Sequence, residues 1–583
     1  MKVTRTLFRN ALKFFKRNQN RIKREKFIRL FLHEDRKVFW KEIRKLKPIA
    51  KIDNIDGISE NEAIVNLFTN KYKNTEEVVQ GQEMPSDFTL MNNTMRRQHN
   101  TQMPIQQIPI INIEKAIGLL SQNTGHDLIS SYHLKYAGPI FKKMLKQLFL
   151  QFIRHGFSPN KMLVGEIRPN FKNNKICKTN SNNYRPIMNS SVMLKTFEYC
   201  LLPTLSRSLR LNDMQMGFRN DSNCTSTVMI LKEVINNYNK EGSNVHCAML
   251  DLSKAFDKLD FDILIKKLRA TDLSDMLINT LEYMLKHSNI HVSIGKTVGT
   301  SWTSEMGTRQ GGILSPLLFN FYLKDCIDEV TKLNVGCNLG SSKCNILAYA
   351  DDIILIAPSA QGLQHIVNNI GISLSKHKLL INNTKSKYIV FKYKNKLEIN
   401  SSIVLNGVQL ERVYEYKYLG IILMDNMSNN RDSDRIVNSF LGQFNSLYYK
   451  FNFASQNVLN FLFKTYCSSF YGIELWYNDS NRKKNLYKTS VAYHKAIKRI
   501  VHLNSWDSNH LGCELAGVNI FKHLQAKRMF NFYRSVLRSK NHLINKSKYY
   551  WNSVADIKSN IERIFFSEYD VNDVFNNDAD AII

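Results

Sequence analysis

Between residues 111 and 395 the hydrophobic positions change rhythm repeatedly: apolar residues spaced by three or four alternate with short, unbroken apolar runs. That alternation predicts an α+β domain in which helices lie on strands too buried to keep a polar face. The clearest strand signals are Cys247 to Leu250, ending in Asp251, and the pair Ile346 to Tyr349 and Ile353 to Ala357. The latter pair leaves Ala350, Asp351 and Asp352 at a tight turn between two strands. Helix starts are expected after Asp260 and at Ser315-Pro316. Beyond about residue 431 the strand signals stop. Ile436, Phe440, Phe444 and Leu447 then form one helical stripe, and Tyr493, Ile497 and Ile500 another, with Lys495, Lys498 and Arg499 expected to face away. Upstream, Phe27, Leu30 and Phe31, then Phe39, Trp40, Ile43 and Leu46, recur at helical spacing, while residues 74 to 106 are polar and irregular, as in a linker.

Charge changes this picture most at the N-terminus. Lys and Arg outnumber Asp and Glu by 81 to 50, a formal charge of +31, and the first fifty residues alone carry 17 basic and 4 acidic side chains. A long polyanion is the partner such a surplus suits, and nucleic acid is the leading candidate. The basic amphipathic start reads as an RNA-binding or nuclear-import arm, or else as a docking helix with a solvated face. The nine cysteines contain no CxxC pair, so neither a disulfide framework nor a ribbon-type zinc site is expected and the protein should be reduced and intracellular. No apolar run reaches the ~20 residues of a membrane span, and no membrane partner is expected. The expected division is a basic extension and linker (1–110), an α+β region (111–430), a helical region (431–555) and an acidic, poorly ordered tail (556–583).

Adjacent carboxylates between buried strands need an explanation, because a buried carboxylate without a partner costs several kcal/mol or becomes neutral. A surface hairpin with Asp in its turn would need no metal. However, Asp251 stands at the end of a second apolar strand. Three carboxylates from two neighbouring strands concentrate enough negative charge to hold two Mg²⁺, with water and phosphate oxygens completing the coordination. Paired Mg²⁺ ions are the apparatus of in-line phosphoryl transfer.

With those residues in view, the chain resembles a known family. LDLSKAFDKLD (250–260), GTRQGGILSPLLFNFYL (307–323), AYADD (348–352) and YKYLGIIL (416–423) occur in the order and approximate spacing of reverse transcriptase motifs, most like those of non-LTR (LINE-like) retrotransposons. GEIRPNFKNN, NNYRPIMNSSVMLKTFEY and QMGFRNDSNCTS upstream, with VFWKEIRKLKP and SFYGIELW outside them, extend the resemblance to roughly residues 30 to 510. It implies a right-hand polymerase with α+β fingers and palm and a helical thumb. It implies that Asp251, Asp351 and Asp352 bind Mg²⁺, or Mn²⁺ in its place, and that Lys385 is the general acid to the leaving pyrophosphate. Lys172 and Arg185 would grip the triphosphate of a dNTP, Phe256 would gate the sugar, and Gln310 and Gly311 would brace nucleotide and template. Tyr418, Leu419 and Gly420 would form the primer-grip hairpin. The partners implied are an RNA template, a DNA primer or target, and dNTPs, in a ribonucleoprotein of nucleus or cytoplasm. The sequence starts inside what resembles the linker after an endonuclease, so no nuclease domain is expected in it. Two alternatives stay open: a group II intron-type reverse transcriptase with maturase function, and a polymerase-derived RNA-binding protein without catalysis.

Overall fold

The computed structural model describes residues 54–77, 110–121, 124–172, 177–393, 401–476 and 481–550. The basic stretch 1–50 and the acidic tail 556–583 lie outside the described residues, as does most of the 74–106 linker. No helix among the described residues is long and apolar enough to cross a membrane. All nine cysteines are free thiols, eight of them buried or partly buried.

Helix α1 (Asn61–Glu77) precedes a hairpin of β1 (Gly165–Phe171) and β2 (Tyr184–Ser190), and α2 (Val192–Ser208) follows it. Next come α3 (Cys224–Lys240), β3 (Val245–Asp251), α4 (Phe261–Arg269) and α5 (Asp275–Lys286). Strands β4 (Asn289–Ile294), β5 (Thr297–Val298) and β6 (Trp302–Thr303) complete a first sheet of order β2-β1-β4-β5, with β6 beside β4. Its core joins Ile55, Ile64, Val65 and Phe68 to Ile167, Tyr184, Met188, Ile290, Val292 and Trp302. Residues 54–77, expected within the N-terminal extension, are therefore part of this layer, the apolar face of α1 being buried on the first sheet through Ile64, Val65 and Phe68.

After α6 (Ser315–Lys332), a second sheet gathers β7 (Ile346–Tyr349), β8 (Asp352–Ala357), β9 (Lys387–Phe391) and β10 (Glu411–Arg412) around β3, in the order β10-β9-β3-β8-β7. The strands are apolar because they are central: Cys247 to Leu250 and Ile353 to Ala357 are all buried. Helix α7 (Ala360–Lys376), started by the Ser359 hydroxyl accepting from the Gly362 N–H, packs across β3 and β8. Asp260 caps α4 as expected, its carboxylate accepting from the Ile263 N–H at 2.9 Å. One boundary moves: Asp352 pairs with Tyr349, so the turn holds only Ala350 and Asp351, and Asp352 begins the strand.

The hairpin of β11 (Glu415–Tyr418) and β12 (Ile421–Met424) leads into helices that run to the end of the described chain, beginning with α8 (Asn430–Phe451) and including α9 (Arg482–Ile500). Both expected stripes are buried here, in one core with Phe463, Trp476 and Phe521. Lys495 and Arg499 face outward, but Lys498 does not: it is buried and donates to the Ser505 carbonyl at 2.9 Å. A lysine at a helix end can turn its ammonium back onto a loop carbonyl while its stem covers apolar surface, and spacing alone does not reveal this.

A fully buried carboxylate ties the hairpin to the helices. Asp432, in the first turn of α8, accepts from the Ile422 N–H (3.0 Å), Arg435 Nε (2.7 Å) and Trp476 Nε1 (3.0 Å). Its position near the helix N-terminus adds favourable dipole charge. Asp432→Leu would strand three donors at once, and the loss of stability should be roughly 3–5 kcal/mol, the range for breaking a buried charged network. A urea midpoint within experimental error of wild type would contradict this role.

Candidate active site

The second sheet brings its charged residues to one end by register. Asp251, last in β3, lies directly opposite Asp352, first in β8. On the other side Lys387 pairs with Met249, and the same antiparallel register carried two residues further sets Lys385 against Asp251. Lys385 Nζ is 3.4 Å from Asp251 Oδ2. The loop before β9 is held there by the Ser386 hydroxyl, which accepts from the Asp251 N–H at 3.2 Å, and by the Asn382 N–H, which donates to the Asp251 carbonyl at 2.8 Å.

Asp351 sits in the β7–β8 turn, where Ala350 has φ of +57°. A positive φ at a non-glycine residue is strained and must be held by its surroundings. Gln215 does so with both ends of its amide: Oε1 accepts from the Ala350 N–H at 2.8 Å and Nε2 donates to the Ala350 carbonyl at 3.2 Å. Beneath the turn lies Gly217, where an added Cβ would stand 2.4 Å from the Ala350 nitrogen. Its backbone is fixed in turn by Asn320 Nδ2, 2.7 Å from the Gly217 carbonyl. The residue types of QMGFRN gave no advance sign of this brace: a glutamine and a glycine become a support only once the fold lays them under the turn.

Crowding shows in the acidities. Burial raises the Asp351 carboxyl above the usual carboxylate range and Asp251 raises it further, against Arg185 and Lys385. Asp352 keeps its surface open to solvent, yet protein mass behind it, then Asp351 and Asp251, push its carboxyl up to about 6. Tyr416, on β11, is pushed up to about 12 by burial and by Asp352 and Asp251, which marks it as a neighbour of the cluster that its motif position did not single out. Such repulsion is what a divalent cation relieves, so the donor set fits one. Among the described residues no three His, Cys, Asp or Glu side chains converge enough to enclose a metal unaided. Mg²⁺ at phosphoryl-transfer sites is ordinarily held in just that incomplete way, by one or two carboxylates plus water and phosphate oxygens.

The first sheet supplies the opposing charge. Lys172, immediately after β1, donates from Nζ to the Asn182 carbonyl at 2.8 Å. Burial first lowers the pKa of its ammonium, and Lys385, Arg185 and Lys254 lower it further, so these cations share one region. Arg185, near the start of β2, is exposed. Gln310 Nε2 donates to Asp257 Oδ1 at 2.6 Å, and the Gln310 carbonyl accepts from the Met188 N–H at 2.8 Å. Gly311, with φ of +119°, passes so close to β2 that a Cβ would lie 2.8 Å from the Met188 carbonyl oxygen. Behind it, a buried pair missed by the sequence reading anchors the same loop: Arg309 Nη1 lies 3.4 Å from Glu198 Oε1, and Glu198 Oε2 accepts from the Ile313 N–H at 2.7 Å. Phe256 is half-buried in a 3₁₀ turn after β3, stacked on Phe319 with centroids 4.5 Å apart and edge-on to Phe218 at 6.3 Å. Tyr418 is buried beside this site, while Leu419 (φ +45°) and Gly420 (φ +84°) make the two-residue turn of the β11–β12 hairpin.

Residues 173–423 match the family described as reverse transcriptase (RNA-dependent DNA polymerase). The chain carries a reverse transcriptase domain. Its relatives are non-LTR retrotransposon polymerases. It is 26% identical over 247 residues to the Pol polyprotein of a type-1 R2 retrotransposable element from Nasonia vitripennis, covering 41% of this chain and 24% of that protein. To the R2DM polyprotein of Drosophila melanogaster it is 29% identical over 250 residues, covering 41% and 23%. To the probable RNA-directed DNA polymerase from transposon BS of the same fly it is 25% identical over 333 residues, covering 55% and 36%. The match thus spans about a quarter to a third of the length of these relatives. Among solved structures, telomerase from Candida albicans with a telomeric RNA fragment aligns at 13% identity and a TM-score of 0.35, over 75% of this chain and 68% of that one. The second sheet lies wholly within the matched residues, and the helices from α8 onward follow them.

Because Gln215 satisfies both backbone groups of the strained turn, Gln215→Ala should destabilise the protein by roughly 1–3 kcal/mol, the cost of leaving buried partners unmade. Hydrogen exchange at the Ala350 amide should quicken by more than at the amides of β8. Equal protection of Ala350 in the two proteins would show that the turn holds itself.

Proposed function

We propose that this chain is an RNA-directed DNA polymerase that adds deoxynucleotides to a primer 3′-hydroxyl by two-metal-ion phosphoryl transfer, acting on an RNA template and a DNA primer or target in retrotransposition. The observation that carries the reading is the crowding of Asp251, Asp351 and Asp352 at one sheet end, with Lys385, Lys172 and Arg185 within electrostatic reach. The relatives, all polymerases of transposable elements, favour it over an intron-encoded maturase. The intact carboxylates favour it over a binding protein that no longer catalyses. A ribonucleoprotein of nucleus or cytoplasm is the setting in which we expect it.

Asp251 and Asp351 would hold two Mg²⁺, or Mn²⁺ in their place, with Asp352 beside them; bound there, the ions would favour ionisation of the attacking hydroxyl and neutralise charge on the leaving pyrophosphate. The remaining work falls to side chains. Lys172 and Arg185 draw in the triphosphate, Lys as a point charge and Arg through its fork of donors. Lys385 carries a proton at Nζ beside Asp251 and can release it to the departing pyrophosphate. Gln310, anchored on Asp257, and Gly311, tight against β2, fix the loop that faces base and template. The turn at Leu419 and Gly420, beside Tyr418, supports the primer end. Phe256, stacked on Phe319 and only half-buried, can bear on the sugar at C2′.

Primer extension on poly(rA)/oligo(dT) with Mg²⁺ and dTTP tests the reading directly. Wild type should extend, and Asp251→Asn or Asp351→Asn should abolish extension while RNA binding through the basic surface persists. Folded wild-type protein that incorporates nothing would leave the binding-protein reading in its place. Sugar choice offers a second test. An aromatic ring against C2′ strips water from a ribose 2′-OH without offering a partner, which costs ~1–3 kcal/mol, roughly tenfold to a hundredfold in discrimination. Phe256→Val should therefore extend with dTTP more slowly and narrow the ratio of kcat/KM for dTTP to that for UTP by about that factor. An unchanged ratio in an active variant would return Phe256 to a packing role.

A further inference from the structure

Helix α1 reaches back to the nucleotide side of the fingers through a chain of polar contacts that the motifs do not contain. Lys71 Nζ donates to Ser181 Oγ at 2.8 Å and to Asn182 Oδ1 at 2.7 Å, across more than a hundred residues of sequence. The backbone carbonyl of the same Asn182 accepts from Lys172 Nζ at 2.8 Å, and the Lys172 N–H donates to the Asn183 carbonyl at 2.8 Å. One residue thus has its side chain held by Lys71 and its carbonyl occupied by Lys172. A second hold lies just before α1: the Asp56 carboxylate accepts from the Ser181 N–H at 3.2 Å, and the Asp56 N–H donates to the Thr179 carbonyl at 2.7 Å. Asp56 has φ of +49° and Gly57 of +86°, a tight turn that only the closing of Ile55 onto Ile58 and the grip on this loop would sustain.

The apolar side of the same helix makes the hold rigid. Phe68 is fully buried, with its ring 5.3 Å from that of Tyr184, the first residue of β2 and the neighbour of Arg185. Val65 and Thr69 lie against Gly299, where a Cβ would come within 2.7 Å and 2.8 Å of them. The helix therefore sits in a fixed place on the first sheet, and Lys71 projects from it to the loop that joins β1 to β2. Burial lowers the pKa of the Lys71 ammonium, as do Lys254 and Lys172, while Asp56 raises it, so Lys71 shares this region with those cations.

We propose that Lys71 is a positioning residue for the triphosphate: it fixes Asn182, and through the Asn182 carbonyl it sets where the Lys172 ammonium rests when a nucleotide arrives. The inference rests on the polymerase reading and deepens it by adding an N-terminal helix to the nucleotide-binding apparatus of the fingers. Lys71 itself need not touch the substrate. Without it, residues 179–183 keep the holds from Asp56 and from the Lys172 N–H, but the Asn182 side chain loses its anchor, and the Lys172 ammonium samples positions from which it meets the phosphates less often.

The test is steady-state primer extension by the full chain with three variants. Lys71→Met keeps the stem and removes the charge; KM for dTTP should rise about three- to tenfold with kcat within about twofold, and affinity for the primer–template should be unchanged. Lys71→Arg keeps the donors and should stay within about twofold of wild type in KM. Asn182→Ala should raise KM similarly, and the double variant should be no worse than either single one, because the two residues act in series. Amide exchange at Ser181 and Lys172 gives a readout independent of catalysis and should quicken in Lys71→Met. An unchanged KM in Lys71→Met, where Lys172→Ala raises it, would overturn the positioning role alone. If Lys172→Ala also leaves KM unchanged in an active enzyme, the assignment of Lys172 falls and the role of Lys71 with it. Additive effects of Lys71→Met and Asn182→Ala would equally overturn the serial link.

Discussion

Like charges are held together here by strand register. Two carboxylates on directly opposed positions of antiparallel strands have Cβ atoms about 5 Å apart, and if both ionise they repel by up to about 3 kcal/mol at an effective dielectric near 20. Asp251 and Asp352 are such a pair. The repulsion is local, whereas the hydrogen bonds and burial that fix the register are spread over the whole of β3, β8 and β9, from Val245 to Phe391. A sheet can impose an arrangement on its end that the residues at that end would not choose, provided that its middle is apolar and continuous. This is why Cys247 to Leu250 and Ile353 to Ala357 are buried without exception.

The supports around the cluster follow from that constraint. A strained Ala350 is tolerated because Gln215 satisfies its N–H and carbonyl together and Gly217 leaves room beneath it. Lys385 arrives opposite Asp251 by the same register that builds the sheet, with no special device. The β11–β12 hairpin and the helices that follow it are joined at Asp432, where one buried carboxylate collects donors from the hairpin, from its own helix and from Trp476. Each support is a polar group made costly to remove by burial, so geometry near the site is maintained by desolvation as much as by bonding.

The first sheet and the loops beside it are organised differently. Their charged residues are largely exposed, and what fixes them is a layer behind: α1 with its buried Phe68, the Arg309–Glu198 pair and the close passage of Gly311 along β2. Glu198 lies so deep that burial raises its carboxyl above the ordinary range even with Arg309 beside it. Such a pair contributes little net stability over an apolar equivalent, but the loop from Gly307 to Leu314 cannot shift without breaking it.

The sequence by itself determined a great deal. Unbroken apolar runs mark β3, β7 and β8; the stripes through Ile436 and Tyr493 mark α8 and α9; and motif order brings forward Asp251, Asp351 and Asp352 as candidates, because these features depend on residue type and on neighbours close along the chain. What lay hidden depends on contacts between distant segments. Gln215 and Gly217 are ordinary until the fold slides them under Ala350, 135 residues away for Gln215. Lys498 sits on a face that spacing assigns to solvent, but a loop carbonyl lies within its reach. Residues 54–77 read as linker-side sequence because nothing local shows that Phe68 has Tyr184 to cover. Local pattern fixes which face of an element is apolar, whereas only the tertiary structure decides what that face meets and which polar group the meeting leaves to be satisfied.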